Sequence, residues 1–123
     1  LRRSDILISD FSGVIFDFSL VFDRPVIYAD TSFDKGPYDA WWIEDELWTF
    51  KILPKIGRQL TKDNFGNIGE LIRECLNAPE LAEGRRQARE ETWANIGHSA
   101  ERAVDYLVKK RRELLDSEKG SDK

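Results

Sequence analysis

The sequence predicts an α/β fold: a short parallel sheet with several helices toward the carboxyl end, forming the closing part of a larger lobe. Three observations carry this. Ile6–Ser9 is a brief apolar strand that runs into the polar turn Asp10-Phe11-Ser12-Gly13 and then an apolar helix. A second apolar segment, Pro25–Ala29, returns after that helix and completes one right-handed β-α-β unit. Beyond residue 67, apolar residues recur at helical spacing. Two strands are few for a parallel sheet that must be covered on both faces, so the lobe is predicted to be partial. The opening on Leu1 rather than Met points the same way.

Each element has a local reason. Ser12 is a candidate N-cap for a helix over Val14–Val21, which is apolar on nearly every side and predicts burial on more than one face. Pro25 forces Arg24 out of helical geometry and ends that helix. Asp30–Tyr38 reads as a loop broken by Gly36 and Pro37. Asp39–Ile56, with Trp41, Trp42, Trp48 and Phe50 among acidic residues, fits no single pattern, and Gly57–Leu60 reads as a brief extended piece. A helix over Asn67–Leu76 follows from the face Ile68, Leu71, Ile72, Cys75 and Leu76. Pro79 starts another, strongly charged, running to about Trp93. Asn95-Ile96-Gly97-His98 breaks it, and Ser99 is the expected cap of a last helix. There Ala100, Ala103, Val104, Leu107, Val108 and Leu115 are predicted to form a buried stripe. Residues 1–115 thus read as lobe, and the polar 116–123 as a disordered tail.

Composition limits the function. The 123 residues suffice for one domain burying roughly two thirds of its unfolded surface. Charged residues make up 34% with a net charge of −4, so no broad basic field exists to attract nucleic acid. The single cysteine, Cys75, excludes an internal disulfide framework, fits a reducing compartment and reads as core filling. No apolar run approaches the ~20 residues that cross a bilayer, and Leu1-Arg2-Arg3-Ser4-Asp5 does not resemble a signal peptide. A cytoplasmic protein is the expectation. No cluster has metal-ligand spacing, and no Walker or GxGxxG loop is present, so neither metal nor cofactor is predicted.

The strand-turn-helix at the start is the place for chemistry. Exposed amides at a helix start beyond a parallel strand attract phosphate, which nominates Ser12 Oγ with the amides of Gly13 and Val14. Helix capping is the plainer role for Ser12. Asp10 can brace the turn by accepting backbone amides, and a direct contact to ligand is secondary. His98, the only histidine, opens the last helix, where the neutral ring is favoured and can face a phosphate. The plainer reading of His98 is a polar loop residue, as helix capping is for Ser99. Trp41 and Trp42 read as packing before base stacking. Lys109-Lys110-Arg111-Arg112 suits the helix dipole, with an anionic membrane surface as the second reading.

Several segments together resemble a known family. Ser4-Asp5-Ile6-Leu7-Ile8-Ser9-Asp10-Phe11-Ser12-Gly13-Val14 resembles the D-x-L-I-S/T-D-Y/F-S-S-V segment of CDP-glycerol glycerophosphotransferases, which help to make teichoic acids. Phe16-Asp17-Phe18 and Asp23-Arg24-Pro25-Val26-Ile27-Tyr28 resemble that family's next two pieces. Gly97-His98-Ser99-Ala100-Glu101-Arg102-Ala103-Val104-Asp105-Tyr106-Leu107 is similar to its closing helix. The Trp-rich middle matches only loosely.

The resemblance implies a Rossmann-like lobe of a glycosyltransferase B fold, here the last part of the lobe that holds the nucleotide donor. It implies transfer of glycerol phosphate from CDP-glycerol to poly(glycerol phosphate), with release of CMP. The catalytic base would be a histidine upstream of Leu1, so none is assigned here. The donor contacts carried over are Asp10, Ser12, Gly13, Val14, His98 and Ser99. Gly13 replaces the family's usual second serine, which removes a hydroxyl and keeps the amide. Partners implied are the donor, the missing amino-terminal lobe, and a membrane surface touched peripherally by the parent protein; a homo-oligomer is a further way to cover the short sheet. Two other classes compete. Asp10-Phe11-Ser12-Gly13-Val14 imitates the nucleophile loop of haloacid-dehalogenase phosphatases, with Ser12 in place of the second acid. A non-catalytic nucleotide-binding or interaction module is the other.

Overall fold

The computed structural model describes residues 1–29, 37, 42 and 44–121. These form two compact units, Leu1–Glu91 and Thr92–Lys123. In the first, β1 (Leu7–Ser9) leads to α1 (Val14–Phe16), which widens into a π-helical turn over Asp17–Val21. Next come β2 (Val26–Ala29), α2 (Trp48–Ile56), β3 (Gly57–Leu60), a 3-10 turn (Phe65–Asn67), α3 (Ile68–Asn77) and α4 (Pro79–Thr92). The second unit consists of a short connection and α5 (Ser99–Ser121). The α/β class is as the sequence predicts. The loop expected over Asp30–Tyr38, apart from Pro37, lies outside the described residues, as does Trp41.

The sheet is parallel throughout, in the order β1-β2-β3. Ser9 stands opposite Tyr28, and Tyr28 opposite Gln59, so the three carboxyl-terminal strand ends share one edge. Central β2 alternates its side chains between two cores. Val26 and Tyr28 pack with Ile15, Phe18, Ile52, Ile56 and Ala88 from α1, the π turn, α2 and α4. Ile27 points to the opposite face, against Leu71 and Cys75 of α3 and Leu81 of α4. Each fully buried aliphatic side chain here contributes about 1.5–3 kcal/mol. Cys75 fills this second core, and burial pushes its thiol above the ordinary range.

The third strand occupies the bounds of the brief extended piece expected at Gly57–Leu60. Arg58 and Gln59 interrupt Gly57–Leu60, because one side chain reaches over the edge of the core to solvent partners. Arg58 Nε donates to Glu74 Oε1 at 2.8 Å and its Nη2 to Glu80 Oε1 at 2.5 Å, tying β3 to α3 and α4. α2 ends where β3 begins: the Gly57 amide donates to the Leu53 carbonyl and Gly57 is already the first strand residue. A β-carbon at Gly57 would lie 2.2 Å from the Val26 carbonyl oxygen. At Gly84, α4 crosses the end of α2 so closely that a β-carbon would sit 1.9 Å from the Lys55 carbonyl oxygen.

Asp23 closes the π turn in the left-handed region, at φ 53°. Its Oδ1 accepts from Arg85 Nε at 2.8 Å and from Arg89 Nη1 at 3.1 Å, pinning the β2 approach to α4. Arg85 is 7% exposed, and its Nη1 and the Ser19 hydroxyl are buried without a partner. Burial pushes the Asp23 carboxyl up, but bonds and charge from Arg85 and Arg89 outweigh it and leave the group below its ordinary value.

Two expectations are corrected. Ser12 does not cap α1: the N-cap position falls on Gly13 and no side chain caps the helix. The stripe Ala100, Ala103, Val104, Leu107, Val108 and Leu115 is exposed, because α5 is the only long element of its unit and has nothing there to bury against. The α5 backbone runs on to Ser121, and upstream Lys110 Nζ donates to Glu113 Oε2 at 2.7 Å. Trp42 is exposed. No helix among the described residues is long and apolar enough to cross a membrane.

Two stability measurements follow. Gly84→Ala should lower unfolding free energy by about 1–3 kcal/mol in urea titration, since backbone and not a flexible side chain must yield; a neutral result would mean α4 does not approach Lys55 this closely. Asp23→Asn keeps the shape and the backbone tolerance, and removes the charge. We expect a loss of about 1 kcal/mol, discounted because the carboxylate is more than half exposed. A depressed acid stabilises the fold above its unfolded titration and ceases to do so as pH falls through its folded one. Wild-type protein should therefore lose this increment on acidification below the ordinary aspartate range, and Asp23→Asn should not.

Candidate functional site

Asp10 follows β1, Ala29 ends β2 and Thr61 follows β3, all at the carboxyl-terminal edge of the sheet where open parallel sheets receive ligands. Polar residues gather there because the chain must leave the buried strands for solvent. Asp10 shapes the first turn. Its Oδ1 accepts the Ser12 amide at 2.9 Å and the Ser9 hydroxyl at 3.3 Å. Hydrogen bonds from the Ser12 hydroxyl and then its amide hold the Asp10 carboxyl below its ordinary value. The group is thus an anionic brace across an exposed turn.

With Ser12 drawn toward Asp10, the first helical bonds run from Ile15 to the Ser12 carbonyl at 3.1 Å and from Phe16 to the Gly13 carbonyl at 3.0 Å. The amides of Gly13 and Val14 precede that bonded turn and are the donors a helix start leaves over. Asp10, Ser12, Gly13 and Val14 are therefore contiguous at the edge. His98 and Ser99 belong to the second unit, at the start of α5. His98 Nδ1 lies 3.3 Å from Glu101 Oε2, both side chains well exposed, and the His98 carbonyl accepts the Arg102 amide at 3.0 Å. The Ser99 hydroxyl donates to the Ala94 and Asn95 carbonyls, both at 3.1 Å, and so ties down the connection instead of capping helix amides.

Two cavities open along the sheet edge and meet at Ala29. One, of about 210 Å³, lies between Phe11 of the first turn, Phe50 of α2, Glu46 and Gln59. The other, of about 420 Å³, is lined by Leu60, Thr61, Lys62 and Phe65 beyond β3. Sequence reasoning missed Glu46, Gln59, Thr61, Lys62 and Phe65. The available signal was Thr61-x-x-Asn64 after a strand: Thr61 gives its amide to Asn64 Oδ1 at 2.8 Å, and Asn64 Nδ2 donates to the Gln59 carbonyl at 2.9 Å. No group of histidine, cysteine or carboxylate side chains among the described residues could hold a metal ion. The edge offers amides, hydroxyls, the carboxylates of Asp10 and Glu46, the Lys62 ammonium and aromatic walls, a set suited to binding a phosphorylated organic ligand.

Comparison with known proteins agrees with the resemblance seen in the segments. The family model for CDP-Glycerol:Poly(glycerophosphate) glycerophosphotransferase matches residues 1–109, which includes every strand and the first half of α5. No curated protein and no solved structure matches the chain. Nearly the whole chain is covered by that one match, from the Asp10 turn to the closing helix; it belongs to the CDP-glycerol:poly(glycerophosphate) glycerophosphotransferase family.

Proposed function

We propose that this chain supplies donor-binding surface to a glycerophosphotransferase, holding the diphosphate of CDP-glycerol at the turn after β1. The observation that carries the reading is the Asp10-braced turn, which presents the Gly13 and Val14 amides at the ligand edge of a parallel sheet. On donor arrival the Ser12 hydroxyl turns from Asp10 to a phosphate oxygen. The positive ends of the leading amides stabilise the charge of CMP as it departs. His98 and Ser99 are the other proposed donor contacts. The acceptor is a growing poly(glycerol phosphate) of the teichoic-acid type, and a facing lobe in a glycosyltransferase B arrangement completes the cleft. Chemistry needs a base from outside these residues, so the 123-residue chain alone transfers nothing. The parent acts peripherally at a membrane. Because Asp10 is already engaged by Ser12, a phosphatase-like attack from its carboxylate is the weaker reading.

Two experiments test this. In the parent enzyme, CMP release from CDP-glycerol with a poly(glycerol phosphate) primer should fall about ten-fold or more in kcat/KM for Ser12→Ala, the size of a lost hydrogen bond to a charged group. Unchanged kcat/KM would sink the assignment. In the chain itself, the Ser12 amide resonance should follow the Asp10 titration, with a midpoint below the ordinary aspartate range. The brace is then complete at neutral pH and lost only on strong acidification. A midpoint within or above that range would mean Asp10 does not hold the turn.

A further inference from the structure

Beyond β3 stands an aromatic ring that the phosphate turn does not use. Phe65 is 64% exposed, yet its position is set by bonding on every side of its turn. Its amide donates to the Thr61 carbonyl at 3.1 Å, the Thr61 amide to Asn64 Oδ1, and the Asn64 side chain to the Gln59 carbonyl. The ring walls the larger edge cavity, together with Ala29, Leu60 and Lys62. A large apolar side chain exposed beside a cavity gains from any flat apolar group laid over it. Lys62 adds a cation at the rim, which suits an anionic ligand.

Strand spacing sets the scale. Two strand intervals, about 10 Å, separate β1 from β3, and the Ser12 and Phe65 turns follow these two strands at the same sheet edge. One nucleoside diphosphate spans that gap from base to terminal phosphate, crossing the smaller cavity with Glu46 and Gln59 between. We propose that Phe65 is the stacking platform for the base of the nucleotide donor, the residue through which this site recognises a nucleotide and not merely a diphosphate. The inference rests on the donor reading above and extends it to the far end of the ligand.

The test uses the full-length protein and two probes, CDP and inorganic pyrophosphate, titrated by calorimetry. Phe65→Ala should weaken CDP by about five- to 150-fold, the range for loss of one base stack, and leave pyrophosphate unchanged. Phe65→Tyr keeps the ring and should bind CDP close to wild-type strength. Unchanged CDP affinity in Phe65→Ala, alongside a loss in Ser12→Ala, overturns the stacking role while the phosphate turn stands. Equal losses of CDP and pyrophosphate in Phe65→Ala overturn it as well, because the change would then act through the phosphate turn. If wild-type protein binds neither probe, the donor reading falls and this inference with it.

Discussion

The first unit is organised by the need to bury β2 on both faces. A strand with Val26, Ile27 and Tyr28 in succession has apolar groups pointing in opposite directions, and neither face can be left to water. One face recruits α1, the π turn and α2, the other recruits α3, and α4 contributes to both through Ala88 and Leu81. Burying about a dozen such side chains far exceeds what any surface ion pair adds. The location of the candidate site follows from this packing. Once both faces are covered, only the strand ends remain open to a ligand, and the polar residues that leave the strands collect there.

Close backbone approach and charge complete the arrangement. α4 can lie against the end of α2 only because Gly84 carries no side chain, and that contact delivers Arg85 to Asp23. Arg85 is nearly buried, so its stability depends on the carboxylate it meets; a buried guanidinium without one is costly. Asp23 accepts two arginines from a left-handed backbone position that aspartate tolerates better than most residues. Asp10 plays a comparable part at the opposite edge, where a carboxylate organises backbone amides instead of cations. The two carboxyls are held low by different partners: Asp10 by neutral hydrogen bonds, Asp23 by hydrogen bonds from two arginines together with their charge.

Much of this was legible in the sequence where one physical signal dominated. The apolar strands β1 and β2, the breaking effect of Pro25, the periodic face of α3 and the start of α4 at Pro79 were read close to their observed bounds. β3 was read only as a brief extended piece at Gly57–Leu60, because Arg58 breaks its apolar pattern to reach partners on α3 and α4 that lie far along the chain. α2 was obscured by Pro54 within it and by the acidic, Trp-rich surroundings. At the site, the turn residues were found because a short local motif encodes them. Phe65 and Lys62 were not, since their neighbourhood with Ala29 is created by strand pairing and leaves no local trace. The α5 stripe shows the opposite failure: a clear amphipathic pattern tells which face is apolar and says nothing about what covers it.

The direct passage from α2 into β3 has a mechanical consequence. Phe50 and Leu53 form one wall of the smaller edge cavity, and Gln59 another, yet all three lie on one uninterrupted run of backbone with no linker at Gly57 to absorb rotation. Gly57 itself is clamped against the Val26 carbonyl. One wall of the cavity, its floor and the Thr61–Asn64 turn at the strand's far end are thus carried by a single continuous piece of chain.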